Sequence, residues 1–331
     1  MEFVTYQVVT SRAVEKVDDN KMIKTAIIKT IAFFDLFDYP LTADEIRKYL
    51  WLPSGGIVTG TEIITELAAL ESIVETIDGF YYLSGRQEIV GQRQASRGWA
   101  GEKLKIAYSA TRWLKYLSGI KLVAVVNSVV LGSVKKDSDI DLFIVVARGR
   151  MWLTRLAVTL LVQFLGVRRH GRHVSNRLCL SFYVTEDKLD LAAVRNQTDP
   201  YFYYWLATLQ LIYDDGCYEK LIKENLWVHD CLPNFSEVAV NPKFHTNDNW
   251  SSNLIKTLNG WWFYSFIGAA AELLAGKIQR KKMAGNLSSL ASEPDSRVII
   301  SDTMLKFHES DRREEFRRRW EDNYKLILAK L

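Results

Sequence analysis

Two apolar runs separated by a short polar loop constrain this chain more than any other feature. The segment from Val123 to Val146 reads VAVVNSVVLGSVKKDSDIDLFIVV. Short runs rich in valine and isoleucine predict strands. The second strand opens with Asp139 and Asp141, and strand alternation places both carboxylates on one face. The residues that alternate with them are apolar and predict a core on the other face: Ile140, Leu142, Ile144 and Val146.

The two aspartates predict a cation site. Carboxylates at the end of a core strand are costly unless a cation compensates them. Magnesium prefers oxygen ligands and is usually held by one or two carboxylates together with substrate phosphates. We therefore predict that Asp139 and Asp141 are catalytic and bind Mg²⁺ or Mn²⁺ in a phosphoryl or nucleotidyl transfer reaction. The alternative is a solvated strand end with ordinary acidic residues.

The same segment resembles the nucleotidyltransferase superfamily that includes DNA polymerase β and the small antibiotic-modifying enzymes. Its members carry a strand, then Gly-Ser opening a helix, then Asp-x-Asp on the next strand. Laid on that pattern, Asn127-Ser128 takes the Gly-Ser position, and Ser128 with the helix behind it is expected to bind the phosphates of a nucleoside triphosphate. The resemblance implies these nucleotide-binding residues: Asn127, Ser128, Gly132, Lys135, Lys136 and Ser138. Reading Gly132-Ser133 as the grip instead leaves too few residues for a helical turn and a return to the next strand.

Two positions depart from the superfamily pattern. Asn127 replaces the first glycine, and asparagine is the residue after glycine that best tolerates left-handed backbone. The third carboxylate of the superfamily is missing from the next strand, LCLSFYV. Alternation predicts that Cys179, Ser181 and Tyr183 share one face there, with Ser181 at the position of the acid.

A basic loop, RRHGRHVSNR, precedes that strand. If it lies at the rim of the site, its arginines are candidates to contact a triphosphate or a polyanionic acceptor. The alternative is a solvated loop. The candidate contacts are Arg168, Arg169, Arg172 and Arg177, together with Ser181.

Local signals divide the chain into a flexible N-terminus (1–20), a winged-helix domain (21–95), an α/β core (96–197) and a mostly helical C-terminal domain (198–331). Thr42 with Glu45, and Thr59 with Glu62, have the spacing of capping boxes that start the second and third helices. The dipeptide Asp78-Gly79 predicts a hairpin turn between the two strands of the wing. DNA binding is disfavoured, because the third helix carries glutamates and no lysine or arginine, although basic residues follow it. The expected fold is therefore an α/β nucleotidyltransferase core with a mixed sheet, between a winged helix-turn-helix and a mostly helical domain.

Composition adds limits on location. Three scattered cysteines do not make a disulfide framework, and the first residues lack the order of a signal peptide, so a cytoplasmic location is expected. The apolar runs at 151–167 and 260–276 are too short and too polar to span a bilayer, and no transmembrane segment is predicted. Both runs, including the aromatic block GWWFYSF, are predicted to be buried helices, although a peripheral membrane contact at the aromatic block is left open.

Four further segments are FFDLFDYPLTADEI, GFYYLSGR, WLTRLAVTLLVQFLG and SDTMLKFHESDRREEF. They resemble segments shared by a group of bacterial proteins with a winged-helix start and a nucleotidyltransferase core, so this resemblance covers most of the chain after about Lys21. The expected reaction is transfer of NMP from a Mg-NTP to an acceptor hydroxyl with release of pyrophosphate. The acceptor, a small molecule, a protein or a nucleic acid, is not fixed by the sequence. A degenerate, non-catalytic nucleotide-binding or scaffold protein is the alternative, and a winged-helix DNA-binding regulator is the third.

Overall fold

The computed structural model describes residues 5–195, 199–236, 240–291, 298–307 and 311–329. The chain is mixed α/β and divides into two compact units. Unit 1 comprises Met1–Gln94, Trp227–Glu237 and Arg313–Leu331, and unit 2 comprises Ala95–Leu226 and Val238–Arg312. The expected boundary near residue 95 coincides with a change of unit. The C-terminal segment from residue 198, by contrast, is shared between the two units and is not a separate helical domain.

Unit 1 contains four described helices and a three-stranded antiparallel sheet in the order β1-β3-β2. Its helices are α1 (Thr5–Asp35), α2 (Ala43–Lys48), α3 (Gly60–Ala68) and α10 (Arg313–Leu328), and its strands are β1 (Leu41–Thr42), β2 (Val74–Ile77) and β3 (Phe80–Leu83). The first helix begins well inside the segment for which a flexible terminus is expected. Both capping boxes are present, at Thr42 and at Thr59. Asp78 and Gly79 both have positive φ, 52° and 76°, as a type I′ hairpin turn requires.

Several charged side chains in the third helix and after it form ion pairs within unit 1. Glu66 on α3 is buried and paired with Lys24 at 3.6 Å, and α3 ends before Glu71. The basic residues that follow are also engaged. Arg86 is bound to acidic side chains that include Asp35, and the buried Arg93 donates to both carboxylate oxygens of Glu45. These two guanidinium groups bind acidic side chains of unit 1 and do not form an exposed row that could bind phosphates.

Unit 2 is organised around a six-stranded sheet in the order β7-β4-β5-β6-β9-β8. The strands are β4 (Ile120–Val126), β5 (Ile140–Val146), β6 (Leu178–Thr185), β7 (Gln210–Asp214), β8 (Val298–Ile300) and β9 (Met304–Phe307). Only β5 and β6 pair in parallel, and the other neighbours are antiparallel. A parallel pair needs a crossover connection. The predicted helix α5 (Met151–Phe164) supplies it. Three strands, β7 to β9, come from the segment expected to be helical.

Helices cover the sheet on both faces. The remaining described helices of unit 2 are α4 (Glu88–Leu114, which starts in unit 1), α6 (Pro200–Thr208), α7 (Tyr218–Glu224), α8 (Trp250–Phe263) and α9 (Phe266–Ala291). The predicted core face of β5 is fully buried, together with Trp152 and Val158 of α5. On the opposite face Phe143 packs edge-on against Phe182 and against Trp205 of α6. Asp139 and Asp141 therefore stand where a strand covered on both faces begins.

The two apolar runs have different environments. The run at 151–167 buries one side of α5, as predicted. The aromatic block does not lie in the core: Trp261 is 90% exposed and Phe266 is 82% exposed, and of this block Phe263 is the buried ring. Across the described ranges, no helix combines the length and apolar character needed to cross a membrane.

Candidate functional site

Two predicted carboxylates and one cysteine converge at the start of β5. One ligand atom each from Asp139, Asp141 and Cys179 lies within 4.8 Å of the others. Strand pairing causes this, because Asp141 is in register with Cys179 on the parallel strand β6 and with Val126 at the end of β4. All three site residues are half-buried. The arrangement offers two hard oxygen ligands and one soft sulfur ligand to a cation.

The register between β5 and β6, which contains a β-bulge, decides which residues of β6 lie on the same side as Asp141. The pairing with β5 shifts after Cys179, so that Phe182 pairs with Phe143. The extra residue reverses the alternation beyond it. Tyr183 consequently lies in the core on the α5 side, with Ile144 and Val146. The prediction that Cys179, Ser181 and Tyr183 share one face is therefore wrong.

The bulge also settles the position expected for a third acid. Ser181 is buried within β6, next to Cys179, and Cys179 is the β6 residue in register with Asp141. A residue at 179, not at 181, is thus the one placed to complete the ligand set. Alternation in the sequence places Cys179 on one face of β6, and the parallel register with β5 puts that face beside Asp141.

Asn127 occupies the expected turn and takes part in the site. Its φ of 61° is left-handed, as predicted for a residue in a glycine position. Its side-chain amide Nδ2 donates to Asp141 Oδ2 at 2.9 Å, and its Oδ1 accepts from the Tyr201 hydroxyl at 3.2 Å. The asparagine therefore orients one of the two carboxylates. Tyr201, on α6, was not singled out by the sequence, because it lies within a run of core aromatics.

The helix expected behind Ser128 is not formed. A single 3₁₀ turn, Asn127–Val129, follows β4, and the described chain then runs as a loop to β5. The reason is that apolar side chains within this loop, such as Val129 and Val134, are buried against the sheet, while Gly132 has a φ of 80°. Ser128 is half-buried in the 3₁₀ turn. No helix dipole is available there to bind phosphate.

The rest of the loop is a short polar turn. The Ser138 hydroxyl accepts the backbone N–H of Lys135 at 2.9 Å, which fixes the turn just before Asp139. The side chains of Lys135 and Lys136 are exposed. They lie in the loop that leads into the carboxylate pair, as the resemblance implied.

A buried lysine ties this loop to its neighbour. The ammonium group of Lys103 donates to the carbonyl oxygens of Lys136 and Ser138 at 3.1 and 2.8 Å, and to Asn176 Oδ1 at 2.6 Å. Burial lowers its pKa below the usual value, and nearby acidic groups oppose that effect. Lys103 falls on the buried stripe of α4 with Ala107 and residues at helical spacing beyond it. A lysine inside an apolar stripe was the signal that could have revealed it.

Of the four arginines in the basic loop, Arg169 reaches the carboxylates. Its Nη1 is 2.5 Å from Asp139 Oδ2 and 3.5 Å from Cys179 Sγ. Arg168 makes a long contact to Gln163 at 3.4 Å, and Arg177 donates to the carbonyl of Gly166. Arg172 is exposed on the turn at the tip of the loop. The loop thus places one arginine, not four, on the carboxylate pair.

The electrostatics of the cluster favour a bound cation. Burial, followed by repulsion from Asp139, raises the pKa of Asp141 to about 6, while the Asn127 amide and Arg169 act in the opposite direction. Burial and the charge of Asp141 raise the pKa of the Cys179 thiol to about 12. Arg169 balances one negative charge, and the second carboxylate remains without a balancing charge in this cluster. A divalent cation would compensate it.

The donor set decides which cation fits. The two carboxylates match the oxygen preference of magnesium. Cys179 holds its proton at neutral pH and is a soft ligand, so magnesium would use the aspartates and leave the thiol unbonded. Manganese, which also prefers carboxylate and water ligands, fits the same pair.

Comparisons with known protein families, with curated proteins and with solved structures find no match to this chain. The site must therefore be interpreted from its own geometry.

Proposed function

We propose that this site binds a divalent cation with a nucleoside triphosphate and transfers NMP to an acceptor hydroxyl, as in nucleotidyltransferases of the polymerase β type. The observation that carries the proposal is the convergence of Asp139 and Asp141 on one edge of the sheet, with a raised Asp141 pKa that a cation would relieve. Carboxylate pairs that hold metal against a triphosphate serve phosphoryl and nucleotidyl transfer.

The proposal extends to the architecture. In unit 2, β4 and β5 form an antiparallel pair joined by the Asn127 turn, and β5 pairs in parallel with β6, which is an arrangement compatible with a nucleotidyltransferase core. In unit 1, α1 to α3 followed by the β2–β3 hairpin are compatible with a winged helix-turn-helix. We interpret the two units in these terms.

The residues have separate roles in the proposed reaction. Asp139 and Asp141 would hold magnesium, which would neutralise charge that develops on the triphosphate as pyrophosphate leaves. Asn127 keeps the Asp141 carboxylate oriented by its hydrogen bond. Arg169 is bound to Asp139, and from this position its guanidinium would be placed to neutralise negative charge on the triphosphate. Lys135 and Lys136 add positive charge at the mouth of the site.

The proposed transfer replaces one phosphorus–oxygen bond by another and releases one proton. The acceptor oxygen forms a bond to the α-phosphorus, and the bond from that phosphorus to the oxygen bridging to the β-phosphate breaks. Pyrophosphate carries away the bonding electrons. Cys179 cannot take the acceptor proton at neutral pH, because its thiol is itself protonated. The hydroxyl proton therefore passes to water, which makes the step slow in the absence of a stronger base.

Cys179 favours a second candidate function, a non-catalytic nucleotide-binding protein. A thiol at the position next to the aspartates replaces a carboxylate that could assist deprotonation, and the turn at Asn127 lacks a helix to bind phosphate. A site of this kind would still bind a metal-nucleotide complex. The two functions differ in whether pyrophosphate is released.

One experiment separates these candidates. Binding of each of the four NTPs is measured by calorimetry with Mg²⁺ and with Mn²⁺, and pyrophosphate release is followed with a cell extract as the source of acceptors. The variants are Asp139→Asn with Asp141→Asn, which removes the carboxylate pair, and Asp137→Asn, a matched control two residues away on an exposed position. Cys179→Asp introduces a third carboxylate beside the pair.

Each result has a defined meaning. Metal-dependent release that is lost in the double variant and kept in Asp137→Asn supports transfer. Binding without release in the natural protein, followed by release in Cys179→Asp, supports the non-catalytic candidate. Absence of NTP binding with either metal would refute both. The DNA-binding regulator remains a third candidate only if unit 1 is retained on duplex DNA at low salt.

A further inference from the structure

Helix α9 carries most of its large apolar side chains on the outside. The inward stripe contains Glu272 and Gln279, together with the small residues Gly268, Ala275 and Gly276, and it ends in one large apolar residue, Met283. The outward stripe, at the same helical spacing, contains large apolar residues that are more than half exposed: Phe266, Ile267, Leu273, Leu274 and Ile278. This is the reverse of the usual amphipathic helix, which turns its apolar stripe towards the core.

The contacts of the inward stripe fix this orientation. The Glu272 carboxylate accepts the backbone N–H groups of Trp152 and Leu153 at 2.8 and 2.7 Å, at the start of α5. Gln279 donates to the Trp152 carbonyl at 2.8 Å. Gly276 lies so close to the Trp152 ring that an added Cβ would be 3.1 Å from it. Helix α9 cannot rotate to bury its outer stripe without breaking these contacts, so outward exposure is its native orientation.

Helix α8 adds aromatic residues to the exposed surface. Trp250 is 79% exposed and Trp261 is 90% exposed. The start of α9 packs directly on the end of α8, because a Cβ at Gly268 would meet the carbonyl oxygen of Phe263 at 2.1 Å. Trp261 and Phe266, the two most exposed aromatic rings of α8 and α9, therefore flank this junction. We call the exposed apolar residues of the two helices the aromatic face: Trp250, Leu254, Leu258, Trp261, Phe266, Leu273, Leu274 and Ile278.

The charges beside the aromatic face are positive. Lys277, Lys281 and Lys282 are exposed next to its last residues. The acid on α9, Glu272, is turned inward, and Arg280 is bound to Asp302. An isologous contact with a second copy would pair this surface with itself, and α8 and α9 present no outward acidic side chain to partner the lysines. A bilayer with anionic headgroups matches both properties, because tryptophan and phenylalanine insert at the acyl boundary while lysines bind the headgroup phosphates.

We propose that α8 and α9 bind the surface of an anionic phospholipid bilayer, with Trp261 and Phe266 inserted at the acyl boundary and the three lysines on the headgroups. The helices lie on the membrane and do not cross it. This surface is formed within unit 2 and is independent of the proposed reaction at Asp139.

Flotation of the full chain with lipid vesicles tests the proposal. One vesicle preparation is phosphatidylcholine alone, and the other contains about 30% phosphatidylglycerol. The variant Trp261→Ser with Phe266→Ser removes the inserted rings, and Trp113→Ser, which replaces an exposed tryptophan on α4, is the matched control. A third variant changes Lys277, Lys281 and Lys282 to glutamine. All variants are checked for an unchanged unfolding temperature, since every substituted side chain is exposed.

The expected result is binding to the anionic vesicles and little binding to phosphatidylcholine. The aromatic double variant should lower the partition coefficient at least about tenfold, and the glutamine variant should lower it by a similar factor. NaCl at about 0.5 M should reproduce much of the charge effect. Trp113→Ser should bind like the natural chain.

Two results would overturn the proposal. One is that the natural chain floats with neither kind of vesicle. The other is that binding is unchanged in the aromatic variant. If sedimentation also shows a dimer that the aromatic variant converts to a monomer, a second copy covers this face in place of a bilayer.

Discussion

Lys103 gives the sharpest test of how the site is held together. Its substitution by methionine keeps most of the side-chain volume and removes the ammonium group. The carbonyl of Ser138 keeps a second donor, the backbone N–H of Asn176 at 3.2 Å, and the carbonyl of Lys136 keeps the Ser175 hydroxyl at 3.2 Å. Asn176 Oδ1 loses the bond that it makes to Lys103. The perturbation therefore leaves one half-buried acceptor without this partner and weakens two others.

The expected loss in the free energy of unfolding is the sum of the costs of the three lost hydrogen bonds. An acceptor left unsatisfied costs about 1 to 3 kcal/mol, and each lost bond to a carbonyl that keeps another donor costs about 0.5 to 1.5 kcal/mol. The natural protein bears the desolvation of the buried ammonium, which offsets part of the sum. We expect Lys103→Met to reduce the free energy of unfolding of unit 2 by about 3 kcal/mol. For a unit of this size that lowers Tm by roughly 6 to 12 °C.

Thermal unfolding followed by circular dichroism measures the effect. Lys105→Met, at an exposed position on the same helix, is the matched control and should change Tm by no more than about 1 °C. We also expect Mn²⁺ to raise the Tm of the natural protein, and the variant to lose most of that increase, because Lys103 fixes the loop before Asp139. If Lys103→Met and Lys105→Met unfold at the same temperature, the three bonds do not hold the loops and the reasoning is refuted.

Three further changes test other contacts. Because the folded state raises the pKa of Asp141 to about 6 from 3.8, its contribution to stability is present below pH 3.8 and is lost as pH rises through 6. Asp141→Asn should therefore stabilise the cation-free protein by about 2 kcal/mol at pH 7.5 and by little near pH 4, as urea unfolding at the two pH values will show. Glu272→Gln replaces one of two acceptors at the start of α5 by a donor that opposes the Trp152 N–H, so Tm of unit 2 should fall by an amount corresponding to about 1 to 2 kcal/mol, and an unchanged Tm would contradict the cap. Asn234→Ala removes a buried amide that accepts from the Val58 N–H at 2.8 Å and donates to the Val58 carbonyl at 2.9 Å, and it should destabilise unit 1 by about 2 to 4 kcal/mol in urea unfolding, whereas a loss below about 0.5 kcal/mol would show that water replaces the amide.

The local elements were accessible from the sequence because their determinants are short in range. Thr42 and Thr59 each cap a helix together with a glutamate three residues further along the chain. The turn at Asp78 depends on the backbone conformations of two consecutive residues. The buried face of β5 follows from alternation within one strand. In each case the residues that decide the structure lie within a few positions of one another.

The aromatic block shows where this reasoning failed. Its apolar composition predicted a buried helix, but composition does not state which side of a helix finds a partner. The block lies mostly at the end of α8, and only its last residue, Phe266, belongs to α9. The polar contacts of Glu272 and Gln279 with α5 decide the rotation of α9 and so the exposure of Phe266, and these partners are more than 100 residues apart in the sequence. The strands β7 to β9 escaped prediction for a similar reason, because they are short, and because β7 and β9 pair with β4 and β6, which lie far away in the sequence.

For the site, the sequence by itself determined that Asp139 and Asp141 lie two residues apart where a strand begins, and that Asn127 can adopt the left-handed turn before them; the strand starts at Ile140, between the two aspartates. Only the tertiary structure decided what surrounds the pair. The parallel register of β6 on β5 brings Cys179 beside Asp141, a loop returns Arg169 to Asp139, and a lysine buried in α4 joins the two loops. These three contacts depend on register and packing between segments far apart in the chain, whereas the alternation of a strand is fixed by the covalent geometry of neighbouring residues.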